Sequence, residues 1–240
     1  MTRTHFRVAI LQNYPISAEG GELMLENISK LIHNSKPNVA INVYAPIQGD
    51  PFPDLDNYDL IVLTGGPFNL LEDEKPSWVT ETLEFIKAAT TDRATPKLLG
   101  ICWGQQAIAL ALGGSMGELK NGLCMGVETI RLTPDGARFF NTKSLDIHKH
   151  HKLAVVDIGP RLSCLAPNNE ILLSDDNQVL TLQGHPELDA TLSQLLMDPD
   201  SPPASVRPEV ETDMKPIDAP HDGDVIFATV MKWVSGDISL

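Results

Sequence analysis

An α/β fold is predicted, with a doubly wound, mostly parallel sheet, helices on both faces and a small antiparallel patch. Three observations predict it. Through the first half, short apolar runs alternate with stretches whose apolar residues recur at helical spacing; such alternation implies a parallel sheet covered on both faces, with any site beyond the carboxyl ends of the strands. In the second half, extended segments follow one another closely, the pattern of antiparallel pairing. The length, 240 residues, is ample for one such domain with a full core, so 1–240 is taken as a single domain.

Arg7–Gln12 is the first strand, and Ser17 is placed to cap a helix whose Met24, Ile28, Leu31 and Ile32 share one face. Val39–Tyr44 is the second strand. The loop beyond it holds Pro46, Pro51, Pro53 and several aspartates, which favour turns; it is either a surface connector or a lid over a site. Asp59–Leu63 is the third strand, and it runs into Thr64-Gly-Gly-Pro-Phe68. Pro76 stands in the first turn of a helix whose Trp78, Val79, Leu83, Ile86 and Ala89 form one apolar face, with Trp78 in the core.

The fourth strand, Leu98–Ile101, ends at Cys102, and a helix begins at about Trp103. The thiol therefore sits on a tight strand-to-helix turn, and the spacing Gly100-x-Cys102-x-Gly104 removes the Cβ atoms that would keep strand and helix apart. The N-terminus of that helix favours a thiolate over a thiol, and the Trp103 N–H is placed to receive an oxyanion. A buried structural cysteine at a strand end accounts for Cys102 equally well, as it does for Cys124 and Cys164. A second stretch bears on the choice. The strand Val179–Thr181 leads into Leu182-Gln-Gly-His-Pro-Glu-Leu188. A thiol attacking an amide needs an imidazole to protonate the leaving amine, and the imidazole needs a carboxylate to fix its tautomer. His185-x-Glu187 supplies both, and a separation of about eighty residues is no obstacle because such groups meet in space.

Gly100-Ile-Cys-Trp-Gly-Gln-Gln106 and Gly184-His-Pro-Glu187 resemble the two signatures of class I glutamine amidotransferase domains, and Leu63-Thr-Gly-Gly-Pro-Phe68 resembles the family's oxyanion-loop motif in position and composition. The resemblance covers nearly all of the chain and implies the flavodoxin-like fold of that family. It further implies Cys102 as nucleophile, His185 as base, Glu187 as orienting carboxylate, the backbone N–H groups of Gly66 and Trp103 as oxyanion hole, and Gln106 as a substrate-contacting residue. His151-Lys-Leu-Ala-Val155 is similar to a His-x-Asp-x-Val segment bordering the glutamine pocket, although Leu153 replaces the aspartate. Gln105 stands where many relatives carry histidine, a departure that bears on the pocket and not on the three catalytic positions.

The chain resembles free-standing members of the family, the γ-glutamyl peptidases, and the glutaminase domains of GMP synthases. The implied chemistry is hydrolysis of the γ-amide of glutamine or of a γ-glutamyl compound through a thioester on Cys102. Two alternatives stand beside it: a glutaminase subunit supplying ammonia to a separate synthetase partner, and a non-catalytic regulatory or binding protein on the same scaffold. The chemistry calls for no metal or organic cofactor, and no phosphate-binding glycine loop or dinucleotide fingerprint is present.

The remaining segments are less specific. Leu123–Leu132, a turn at Pro134-Asp-Gly136, Leu153–Val156 and Ile171–Leu173 supply the antiparallel patch. His148-Lys-His-His-Lys152 admits a metal site, although no Cys or Asp accompanies it locally; a border of the substrate pocket; or a solvated basic turn. A short helix is expected to end near Met197, then an acidic, proline-rich loop over 198–224, then a closing helix over 225–236. The net charge of −14 and pI near 4.8 argue against nucleic acid or anionic membrane as a partner, since phosphate binding needs a basic surface. Three cysteines with no close pairing in sequence, no signal pattern and no apolar run of transmembrane length point to a reducing compartment, with cytoplasm the default expectation.

Overall fold

The computed structural model describes residues 6–91, 96–120, 122–197 and 214–240. Strand β1 (Phe6–Leu11) shows in small how the core is divided: Val8 and Ile10 join one apolar cluster, Ala9 and Leu11 the other. Successive side chains of a strand leave on opposite faces, so a strand apolar on both must be covered on both. After β1 come α1 (Gly21–Ser35), β2 (Val39–Tyr44), β3 (Leu60–Leu63), α2 (Ser77–Ala89), β4 (Lys97–Ile101), α3 (Trp103–Ala111), β5 (Ser115–Glu118), β6 (Cys124–Arg131), α4 (Pro134–Phe140), β7 (Ser144–His151), β8 (Leu153–Asp157), β9 (Leu162–Cys164), β10 (Ile171–Ser174), β11 (Val179–Leu182), α5 (Ala190–Leu195), β12 (Met214–Lys215) and α6 (Gly223–Val234).

Among the described residues the main sheet has the order β2-β1-β3-β4-β11-β10-β9. The run from β2 to β11 is parallel, and β10 and β9 extend it antiparallel. Helices α1 and α6 cover one face through Ile28, Ile32, Phe227 and Trp233; α2 and α3 cover the other through Val79, Ile86, Ala107 and Ile108. Each large aliphatic side chain buried this way contributes about 1.5–3 kcal/mol. The doubly wound α/β fold is therefore as expected, and the antiparallel patch resolves into a β12-β6-β7 sheet and a β5-β8 pair. Among the described residues no helix is long and apolar enough to cross a membrane.

Four local expectations are corrected. Ser17 does not cap α1: the helix begins after Gly20, which has φ 73°, and no side chain caps it. Residues 15–18 instead close a turn, with the Ala18 N–H donating to Pro15 O. Pro134-Asp-Gly136 is not a turn but the first turn of α4, because the Thr133 hydroxyl accepts the Gly136 N–H and proline is favoured at that position. His148–Lys152 is not a solvated basic turn. It is mostly the end of β7, and Lys149 is fully buried, paired with Glu170 and, at 3.4 Å, Glu128. The carboxylates make this burial possible, since a lone ammonium could not leave water.

The fourth correction concerns 198–224. Residues 198–213 lie outside the described residues, but Met214–Lys215 pairs with β6. The closing helix starts at Gly223, with Asp222 accepting the Asp146 N–H just before it. The loop after β2 is a connector: it closes two single turns, and Phe52 stacks on Phe85 of α2 at 4.8 Å.

Candidate active site

Cys102 occupies the turn between β4 and α3 with φ 50° and ψ −103°. Such a conformation costs on the order of 1–3 kcal/mol in a residue with a side chain, and persists only where the surroundings over-determine it. Here they do. The Cys102 N–H donates to Leu182 O at 2.7 Å, continuing the β4–β11 ladder, while its carbonyl accepts the Gln106 N–H and opens α3. The flanking glycines let the helix lie on the sheet: a Cβ on Gly104 would stand 2.3 Å from Leu63 O, and one on Gly100 2.7 Å from the Gly104 backbone. The thiol is almost buried and lies at a helix N-terminus, where the unpaired N–H groups favour negative charge. Its Sγ makes a long contact, 3.8 Å, to His150 O.

His185 follows β11, and its N–H donates to His148 O at 2.8 Å, an isolated bridge that ties it to β7. Its Nδ1 lies 2.7 Å from Glu187 Oε1, and its Nε2 is buried without a hydrogen-bond partner. Burial alone disfavours an imidazolium, but the Cys102 and Glu187 charges outweigh it, and His185 is pushed up to about 10. Two neighbouring histidines go the other way. Burial, then the charge of His221 and of His185, lowers His148 to about 4; burial, then His185 and Lys152, lowers His150 to about 4. Of the three, His185 is the one that carries a proton near neutrality.

The loop after β3 closes the site opposite His185. A Cβ on Gly65 would stand 2.8 Å from His185 Cε1, and one on Gly66 2.4 Å from Asn13 O. Asn13 is fully buried at the end of β1. Its N–H donates to Thr64 Oγ1 at 3.0 Å and its Nδ2 to Thr64 O at 3.1 Å, which fixes the start of the loop. Trp103 fixes the other end, with its indole Nε1–H donating to Phe68 O at 3.0 Å. Trp78 is half-buried and packs on Trp103 with ring centroids 5.3 Å apart. The Trp103 side chain thus turns away from the thiol, and only its backbone borders the site.

Cys102, His185, Gly66, Gln106 and His151 line one cavity of about 590 Å³, and Glu187 stands behind His185. The Gln106 amide N donates to Leu153 O at 3.0 Å and to Gln183 Oε1 at 3.3 Å. His151 Nδ1 lies 2.8 Å from Leu153 O, so the backbone of the residue that replaces aspartate organises both side chains. Gln105 is corrected: it does not line the cavity but points beneath the sheet end, donating to Asn169 O and Thr181 Oγ1. Among the described residues no group of three or more His, Cys, Asp or Glu is placed to hold a metal, the His148–His151 cluster included. Sequence reasoning missed Asn13 and Tyr14, and held His150 only within the His148–Lys152 cluster, one reading of which was a border of the substrate pocket. Asn13 and Tyr14 lie two and three residues past the end of β1, where the carboxyl-end rule for parallel sheets would have found them.

Residues 19–197 match the family described as Glutamine amidotransferase class-I. The chain is 53% identical over 235 residues to glutamine amidotransferase-like protein chry6 of Gibberella zeae, covering 98% of each chain. It is 30% identical over 158 residues to gamma-glutamyl peptidase 5 of Arabidopsis thaliana, covering 61% of each. A solved glutamine amidotransferase from Thermotoga maritima shares the fold with TM-score 0.72 at 21% identity, over 97% of this chain and 99% of that one.

Proposed function

The chain belongs to the class I glutamine amidotransferase family, and on that premise we propose that it hydrolyses the γ-amide of glutamine or of a γ-glutamyl compound through a thioester on Cys102. The observation that carries this reading is a strained, almost buried thiol at a helix N-terminus beside an imidazole held by a carboxylate. Cys102 Sγ attacks the γ-carbonyl carbon. The backbone N–H groups of Gly66 and Trp103 receive the developing oxyanion, which a preorganised donor pair stabilises by several kcal/mol. His185 gives its proton to the departing nitrogen, and the C–N bond breaks. His185, now neutral, takes a proton from water as the water attacks the thioester, which frees glutamate and restores the pair. Glu187 holds the His185 ring in the tautomer and orientation both steps need. Gln106 and His151 border the bound γ-glutamyl group.

The test is glutamate release by the purified chain alone from glutamine, glutathione and a γ-glutamyl dipeptide, with Cys102→Ala as control. Release that vanishes in the variant supports the reading. Release that requires an added synthetase would identify an ammonia-supplying subunit instead. No release from any substrate by a chain whose Cys102 alkylates readily overturns a self-sufficient hydrolase.

A further inference from the structure

We infer that the substrate is a γ-glutamyl amide whose leaving amine carries an apolar substituent, aryl or branched alkyl, seated against Tyr14, Ala18, Met24 and Leu196. The inference rests on Cys102 being the acylated residue and says what lies beyond the scissile bond. Its first support is size. Glutamine has roughly ten non-hydrogen atoms; allotted even the ~30 Å³ that a water molecule takes up in the liquid, they fill about half of the 590 Å³ cavity.

The second support is the asymmetry of the walls. The polar groups Gln106, Glu118 and Lys152, suited to the free amino and carboxylate ends of a γ-glutamyl moiety, stand on the β5–β8 side, among Leu119, Leu123 and Leu153. The α1 side brings Tyr14, Ala18, Met24 and Leu196, with Glu19 exposed at the rim. The Tyr14 hydroxyl is already committed, donating to Gly21 O at 3.0 Å, so its ring is what the wall offers.

The third support is which wall faces the leaving group. His185 must deliver its proton to the departing nitrogen, so the amine side lies beside His185 and Glu187. That is the α1 side. Asn27, three residues after Met24, donates its Nδ2 to Glu187 O at 2.9 Å. The charge of Glu187 reaches Tyr14, which burial first and that charge second push up from the ordinary phenol range. Leu196 lines the same cavity, its backbone facing the His150 ring. The covalent step is otherwise that of the free amide: the C–S bond forms, the C–N bond breaks, His185 protonates the nitrogen, and a neutral apolar amine departs.

The test compares γ-glutamyl-phenethylamide with γ-glutamyl-methylamide, whose leaving amines have similar basicity, and with glutamine. The expected kcat/KM ratio of phenethylamide to methylamide is at least about tenfold, since a methylene or more in a fitting apolar pocket is worth that much. The ratio should fall severalfold in Met24→Asn and in Leu196→Ser; each ratio is taken on one protein, so loss of folded material cancels. A wild-type ratio near one, or a ratio that neither variant moves, overturns the inference while leaving the hydrolase intact. Cleavage of none of the three overturns the hydrolase reading, and this inference with it.

Discussion

At φ 50° Cys102 holds a conformation its side chain disfavours, and the groups that hold it there were unequally visible in the sequence. Gly100, Gly104 and Glu187 were legible because each lies within two residues of the group it serves: the glycines frame the thiol, and the carboxylate follows the imidazole by two residues; His185 was legible through its own Gly-His-Pro-Glu motif, not through nearness to Cys102. Asn13 was not, because its bonds to Thr64 span 51 residues and join two loops whose meeting depends on the strand order. Glu187→Gln tests the orienting bond. With one source of negative charge gone, the His185 pKa should move from about 10 toward its ordinary 6.5, and kcat should fall about a hundredfold or more as the tautomer is no longer held. Imidazole NMR titration and steady-state kinetics on the same variant check both.

Elements that obey a local rule were legible in the sequence; those made by distant pairing were not. The parallel strands and α1–α3 follow from apolar periodicity, and their predicted bounds differ from the observed ones by a few residues at most. β7 was misjudged because a run of histidines and lysines carries no apolar alternation; its place is set by Lys149 meeting Glu170 and Glu128 across the fold. β12 pairs with a strand nearly ninety residues earlier, and a two-residue segment has no periodicity to read. The α3–β3 contact offers a test at this scale. A methyl group at Gly104 would stand 2.3 Å from Leu63 O, a backbone atom that cannot swing aside. Gly104→Ala should therefore lower unfolding stability by about 1–3 kcal/mol in urea titrations, with the turn carrying Cys102 displaced and turnover reduced.

For the molecule as a whole, the acidic charge is legible in the sequence, but the pH response depends on histidines whose burial only the fold reveals. His148 is buried against Ser193, His221, His185 and Asp189, and its pKa is lowered to about 4. The unfolded chain takes up this proton near 6.5 and the native chain only near 4, so the unfolded state binds more protons between these values and stability falls as pH drops through that window. His150 adds to the loss in the same direction. The cost is at most about 3 kcal/mol for His148. In urea titrations, His148→Gln should show a smaller stability difference between pH 7 and pH 4.5 than the wild-type chain; an unchanged difference would mean that His148 does not set the acid limb.

The most direct measurement is intact-mass analysis of the chain quenched in acid during turnover of a γ-glutamyl substrate, followed by peptide mapping. The account predicts an adduct with the mass of one γ-glutamyl group on the peptide that holds Cys102, and neither adduct nor glutamate release in Cys102→Ala. Glutamate release that persists at full rate in Cys102→Ala, or an adduct mapped to Cys124 or Cys164, would contradict it.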